Sequence, residues 1–205
     1  MSGYLAKQID IANNPASNID YFKVLMSLQV YASPAEWRDF IAATDGFSRG
    51  TADFRTLVGD LHKLVSRHGE PMQMYERVHL SNSVSHYRGS GRPGKMLVAF
   101  CGRAQVLFGP IARILQLFPA EDYEVLVLRD TRKLGFTQGL SGHSTSFVEM
   151  IEKLRKQFFA DPDQEIFCLG TSGGGGPALV AATLWSARSG VCFSGRPPTS
   201  SRIYG

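Results

Sequence analysis

The segment 166–184 constrains the fold more than any other part of this 205-residue chain. Its apolar run IFCL at 166–169 predicts a buried strand. The glycine-rich run GTSGGGG follows at 170–176, and a helix is predicted from Pro177 onward. Glycine has no Cβ atom to obstruct a tight turn, so Ser172 is predicted to stand at a sharp corner between a strand and a helix.

Strand-like and helix-like segments alternate through the second half of the chain. Strands are predicted at 96–101, 123–128, 166–169 and 191–193, with helices between them at 110–118, 144–159 and 177–187. Apolar strands separated by helices are typical of a mostly parallel sheet flanked by helices, which predicts the α/β class. The carboxyl ends of parallel strands share one edge, so Gly102, Asp130, Gly170 and Ser194 are predicted to face the same side.

The first 88 residues are predicted to form an N-terminal helical region with one or two strands. Helices are predicted at 19–31 and 51–67, and SPAE at 33–36 predicts a capping box that opens a helix to about Thr44. Residues 75–87 alternate like a strand. The turn-rich run RGSGRPG at 88–94 then separates two predicted domains, 1–88 and 95–205.

The spacing Gly170-x-Ser172-x-Gly174 is that of a nucleophile elbow. With the strand before it and the helix after it, the segment 95–199 resembles the α/β-hydrolase fold. The resemblance implies that Ser172 attacks a carbonyl carbon, while backbone N–H groups of Gly173 and of the loop at Gly102 and Arg103 bind the oxyanion. The run LRDTR at 128–132, the glycine-rich loop to His143, and Phe193-Ser194 before Pro197 and Thr199 further resemble a branch associated with bacterial surface-polysaccharide assembly. That resemblance implies a small-molecule or saccharide-linked acyl substrate.

The catalytic triad of that family is incomplete after Ser172. No Asp, Glu or His lies between Gly173 and Gly205, so the chain is expected to be an incomplete, C-terminally truncated member. Asp130 and His143 precede Ser172, so an acid, a base and a nucleophile could follow one another in the chain as Asp130, His143 and Ser172. About 10 Å of sheet separates their strand from the elbow strand, and His143 is alternatively a loop residue that caps a helix at Ser144. Two functions stay open: an esterase or acyltransferase, or a catalytically incomplete binding or interaction domain.

Each feature of the corner has a second interpretation. Ser172 is alternatively a helix N-cap, and the glycine run nominally fits a dinucleotide pattern. The acidic ribose ligand of that pattern and the Lys-Ser/Thr of a P-loop are both absent from the sequence, so no cofactor is predicted. Glycines that open a helix can bind an anion without catalysis. Arg103 either steers an anionic substrate or points to solvent.

Composition and charge bear on which partners the protein has and on the cellular compartment in which it works. The net charge is +4, and the basic residues are scattered, so no nucleic acid is expected. No apolar run approaches the roughly 20 residues that span a bilayer, and no secretory signal opens the chain, so neither a membrane nor export is expected. Cys101, Cys168 and Cys192 lie in apolar runs without metal-ligand spacing, which predicts free thiols, no metal and a cytoplasmic location. The last predicted strand leaves an open sheet edge, so a homo-oligomer is predicted that forms through this edge or through the N-terminal helices.

Overall fold

The computed structural model describes residues 3–15, 17–44, 52–65, 72–91, 93–159, 161, 163–186 and 189–193. The predicted strand end at Ser194 and the Pro/Ser-rich segment 195–201 lie outside the described residues.

Within the described residues, helices form an N-terminal layer and flank a sheet. The N-terminal helices are α1 (Gly3–Asn13), α2 (Asn18–Tyr31), α3 (Pro34–Ala43) and α4 (Ala52–Val65). The flanking helices are α5 (Ile111–Leu115), α6 (Phe147–Phe158) and α7 (Gly175–Leu184). The strands are β1 (Glu76–His79), β2 (Val84–Arg88), β3 (Lys95–Phe100), β4 (Tyr123–Leu128), β5 (Glu165–Thr171) and β6 (Ser189–Phe193).

The six strands lie in the order β1-β2-β4-β3-β5-β6. Strand β3 is parallel to β4 and to β5, and β5 is parallel to β6. Strand β2 runs antiparallel to both β1 and β4. The predicted α/β class, with a mostly parallel sheet flanked by helices and an N-terminal helical region, is confirmed. β6 lies at one end of the sheet, and self-association through that edge or through the N-terminal helices stays a prediction.

Successive residues of the central strand β3 enter two different apolar cores. Met96, Val98 and Phe100 pack with residues of α6 and α7. Leu97 and Ala99 pack on the other face with residues of α5. A strand buried on both faces reads as a continuous apolar run, which is why the sequence of β3 shows no polar alternation.

Polar contacts bind the helical layer to the sheet. The hydroxyl of Tyr87 in β2 donates to the carbonyl oxygen of Tyr31 at 2.8 Å. The buried guanidinium of Arg129, directly after β4, donates to the carbonyl oxygen of Val30 at 2.7 Å. Because β2 also pairs with β4, the predicted boundary between residues 88 and 95 lies between two strands of one sheet.

Several predicted helix limits are wrong. Helix α6 begins at Phe147 because the Oγ atom of Ser146 accepts the N–H of Glu149, so the cap is not at Ser144 and His143 does not cap the helix. Helix α5 is shorter than predicted and ends at Leu115, whereas α7 begins earlier, at Gly175. Helix α1 was not predicted at all.

Candidate active site

Ser172 stands where β5 turns into α7. Strand β5 ends at Thr171, a single 3₁₀ turn covers Ser172–Gly174, and α7 starts at Gly175. The φ angle of Ser172 is 49°, in the left-handed region that residues with a side chain seldom adopt. Its side chain is exposed to solvent. The fold therefore exposes a serine hydroxyl at the carboxyl end of a central strand, on a residue with a strained backbone conformation.

Close packing explains the glycines on either side of Ser172. A Cβ atom on Gly170 would overlap the carbonyl oxygen of Gly174 and lie 2.7 Å from the Cα atom of Gly175. A Cβ atom on Gly174 would overlap the carbonyl oxygen of Phe100 in β3. No atom lies within 4 Å of a Cβ placed on Gly173. Gly170 is thus required by the close approach of β5 to the turn and to α7, and Gly174 is required by the close approach of the turn to β3.

The loop after β3 lies against this corner. A Cβ atom on Gly102 would lie 3.2 Å from the Cβ atom of Ser172. The N–H of Gly102 donates to Thr171 Oγ1 at 3.1 Å, so the neighbouring strand already uses it. Among the described residues, the N–H groups of Arg103 and Ala104 have no acceptor. Gly173 lies in the first turn, where backbone N–H groups have no partner inside the helix.

A pocket of about 90 Å³ lies between the corner, the loop after β3 and the loop after β4. It is lined by Cys101, Gly102, Arg103, Gln105, Asp130, Lys133, Gly135, Phe136 and Gly173. Ser172 stands beside the pocket and is not one of its lining residues. The structure thus brings Gly102, Arg103, Gly173 and Asp130 together next to the serine.

The carboxylate of Asp130 organises the loop that follows β4. Its Oδ2 atom accepts the N–H groups of Leu134 at 2.6 Å and Phe136 at 2.9 Å, and Oδ1 accepts the N–H of Arg132 at 3.1 Å. The residue is only 3% exposed. Three backbone donors therefore occupy the carboxylate, which makes no hydrogen bond to a histidine among the described residues.

His143 lies further along the same loop. Its carbonyl oxygen accepts Lys153 Nζ at 2.9 Å, while its Nε2 atom is buried and has no hydrogen-bond partner in the part of the chain that the structure describes. Burial lowers the pKa of the imidazole, the charge of Lys153 lowers it further, and Glu149 opposes the change. No hydrogen bond joins His143 to Ser172 or Asp130 within those residues, so a triad of the three side chains stays a prediction.

Sequence reasoning missed Gln105, which lines the pocket. Its backbone has a φ of 64°, and its side-chain amide donates to the carbonyl oxygen of Asp130 at 2.8 Å. Gln105 thereby ties the loop after β3 to the loop after β4. No local pattern signals this role, because the contact depends on two loops that are adjacent only in the sheet.

The described residues contain neither a cluster of metal-binding side chains nor a membrane-spanning helix. Within the described ranges, no group of three or more His, Cys, Asp or Glu side chains is placed to hold a metal ion. Across those same ranges, every helix is too short or too polar to cross a bilayer.

Comparisons with known proteins give weak matches. No protein-family model and no curated protein matches the sequence. The chain is similar to a tributyrin phosphonate-inhibited esterase B from Lactobacillus rhamnosis, with 12% identity, a TM-score of 0.36 and coverage of 70% of this chain and 53% of the other. It is similar to dienelactone hydrolase from Anabaena variabilis, with 21% identity, a TM-score of 0.34 and coverage of 60% and 63%. The chain spans less than two thirds of either structure, and likenesses this weak carry no argument about function.

Replacing Asp130 tests its role in the loop. We expect Asp130→Asn to lower the free energy of unfolding by about 2 kcal/mol. Asparagine has no negative charge, and its NH₂ group would face backbone N–H groups that need an acceptor. Urea denaturation measures the change. The matched control is Asp122→Asn, whose carboxylate is half exposed and should change stability by less than about 0.5 kcal/mol. Equal effects of the two variants would contradict the structural role.

Proposed function

We propose that this chain carries the nucleophile and the oxyanion site of a serine hydrolase or acyltransferase that acts on an ester or acyl group. The observation that supports the proposal is the backbone of Ser172, an exposed serine with a φ of 49° between β5 and α7. The overlap that a Cβ atom would cause at Gly170 and at Gly174 supports it further, because it fits the spacing of a nucleophile elbow.

In this proposal the Oγ atom of Ser172 attacks the carbonyl carbon of the substrate. The N–H groups of Gly173 and of Arg103 or Ala104 then stabilise the negative charge on the carbonyl oxygen. The pocket of about 90 Å³ is small beside the roughly 300–1,000 Å³ of pockets for drug-sized ligands. We therefore propose that it receives a short acyl group, with the rest of the substrate outside.

The missing part of the site is a general base. Asp130 is held by backbone donors, and no imidazole is hydrogen-bonded to Ser172 among the described residues. An oxyanion site and binding alone leave roughly 10³ to 10⁴-fold acceleration over water, whereas removing a full triad costs about a million-fold. We therefore expect the chain by itself to hydrolyse an activated ester only weakly, as an incomplete hydrolase-like domain would.

A cysteine at position 172 tests whether this position supports nucleophilic attack, because a thiol can ionise without a general base. We expect Ser172→Cys to be acylated by p-nitrophenyl acetate, because a thiol at a helix N-terminus ionises near neutral pH. The thiolate sulfur bonds to the acetyl carbon, and the ester bond to p-nitrophenolate breaks. Release of p-nitrophenolate and the intact mass of the acetylated protein measure the step.

The chain offers a matched control at the other end of α7. Ser186 is also exposed and has a φ of 53°, but it follows the C-terminus of the helix, where the dipole disfavours a thiolate. We expect Ser172→Cys to react at least about tenfold faster than Ser186→Cys, because only the first has oxyanion donors beside it. Equal rates would reject the catalytic proposal and favour a binding or interaction domain.

We propose a cytoplasmic location for the same protein, and the cysteines support it. Cys101 and Cys168 are free and buried, which suits a reducing compartment. Burial raises the pKa of the Cys101 thiol to about 11 and that of Cys168 to about 12, so both remain protonated and unreactive.

A further inference from the structure

Two buried polar atoms that lack a hydrogen-bond partner belong to residues that line one small cavity. Among the described residues, five buried side-chain atoms lack such a partner, and two of them are Arg129 Nε and Gln105 Oε1. Both residues line a cavity of about 10 Å³ between α2, the end of β4 and the loop after β3. We propose that one ordered water molecule binds in this cavity, accepts the N–H of Arg129 Nε and donates to Gln105 Oε1.

The guanidinium of Arg129 is fixed by contacts that leave its Nε atom unpaired. The residue is 2% exposed. Its Nη1 atom donates to the hydroxyl of Ser85 at 2.9 Å, and its Nη2 atom donates to the carbonyl oxygen of Val30 at 2.7 Å. The ring of Tyr31 lies 4.6 Å from the central carbon. A guanidinium held in this way cannot turn to pair its Nε–H elsewhere, and a buried charged donor without an acceptor destabilises a fold.

The amide of Gln105 has its orientation set by two carbonyl groups. Its Nε2 atom donates to the carbonyl oxygen of Asp130 at 2.8 Å and to that of Arg103 at 3.3 Å. Turning the amide over would place its oxygen against two other oxygens, so the hydrogen bonds assign which atom is which. The Oε1 atom is therefore an acceptor that needs a donor.

Size and polarity together select water as the ligand. A cavity of about 10 Å³ holds one water molecule, which needs roughly 10–15 Å³ of such space, and it is too small for an organic ligand. A chloride ion would accept from Arg129 but would face the lone pairs of Gln105 Oε1. A metal cation would bind that oxygen but would be repelled by the guanidinium. Water alone among these ligands both accepts and donates.

The water makes Arg129 a positioning residue for the loop after β3. Arg129 is anchored to α2 and β2, and the water extends this anchorage to Gln105. The amide of Gln105 in turn donates to the carbonyl oxygen of Arg103, in the loop whose N–H groups are proposed to bind the oxyanion. The positioning role rests on the proposed function, whereas the water site does not.

A high-resolution crystal structure of the whole chain, grown from sodium bromide, tests the water site. We expect a water peak within about 3.2 Å of both Arg129 Nε and Gln105 Oε1. Bromide scatters anomalously, so a halide in the cavity would be recognised. An anomalous peak there, the lack of any peak, or a direct hydrogen bond between the two side chains would overturn the proposal.

A double-mutant cycle measures the link between the two side chains in solution. Arg129→Lys keeps the charge and removes Nε, and Gln105→Met keeps the length and removes Oε1. We expect their effects on the equilibrium constant of unfolding to depart from additivity by at least about fivefold, because either variant alone already frees the shared water. The control pairs Gln105→Met with Thr44→Val, which removes a hydroxyl that donates to the carbonyl oxygen of Phe40 in α3. That pair should be additive within about twofold, and equal additivity of the Arg129 and Gln105 variants would contradict the water bridge.

The positioning role is measured by acylation of Ser172→Cys with p-nitrophenyl acetate, at a temperature at which every variant is folded. Adding Arg129→Lys should slow acylation at least about fivefold, and adding Thr44→Val should slow it less than about twofold. An acylation rate that Arg129→Lys leaves unchanged would overturn the positioning role. If Ser172→Cys is not acylated although the crystal shows the water, the proposed function fails and the water site stands.

Discussion

Gly174→Ala is expected to lower the free energy of unfolding by at least about 3 kcal/mol. The new methyl group would overlap the carbonyl oxygen of Phe100 and lie 2.7 Å from that of Cys101, and both are backbone atoms that cannot rotate away. The φ of Gly174 is −84°, which alanine adopts without strain, so the overlap alone causes the loss. Urea denaturation, followed by circular dichroism, measures the loss.

The neighbouring Gly176 provides the matched control. No atom lies within 4 Å of a Cβ placed there, and the residue lies inside α7. Gly176→Ala should therefore stabilise the chain by up to about 1 kcal/mol, because alanine loses less backbone entropy than glycine in a helix. If Gly174→Ala were as stable as the control, the close approach of the corner to β3 would be wrong.

Glu36→Ala is expected to cost about 3–5 kcal/mol, the usual result of breaking a buried ion pair from one side. Both carboxylate oxygens of Glu36 accept from Arg77, and one also accepts the N–H of Ser33 at the start of α3. Removing them leaves a guanidinium that is 3% exposed without a counter-charge. Thermal and urea unfolding measure the loss.

Asp39 on the same helix is the comparison. It pairs with Arg38 at 2.7 Å, but both side chains are about half exposed, at 51% and 47%. Exposed pairs contribute between 0 and about 1 kcal/mol, so Asp39→Ala should barely change stability. Similar losses for Glu36→Ala and Asp39→Ala would show that burial does not set the strength of the Glu36–Arg77 pair.

Local signals predicted most of the fold. The capping box at Ser33 is present as predicted, with the Ser33 hydroxyl accepting the N–H of Glu36 and the Glu36 carboxylate accepting the N–H of Ser33. Strand β4 has the predicted limits, and its last four residues form a buried apolar run that ends before Arg129. Helix α1 was missed because its buried face, Leu5, Gln8 and Ala12, contains a glutamine and shows little contrast with the exposed face.

The candidate site was less predictable because it depends on contacts between distant segments. The position of Ser172 at a corner followed from its glycines, which act locally. The hydrogen bond from Gly102 to Thr171 joins residues 69 positions apart, and it removes one of the N–H groups expected to bind an oxyanion. Asp130 was expected to assist a histidine, but its three backbone partners form only after the loop folds back over it.

The strand order also sets the sequence of events during synthesis. The β1–β2 hairpin can close as soon as it leaves the ribosome, because Glu76 pairs with Arg88 a short distance along the chain. The other edge of β2 pairs with β4, with Val84 opposite Leu128. Strand β4 is therefore translated only after β3. At roughly 5–20 residues per second, that edge stays open for seconds while β3 emerges beside it. The nascent chain must therefore avoid pairing β2 with β3, and only the arrival of β4 makes the native arrangement possible.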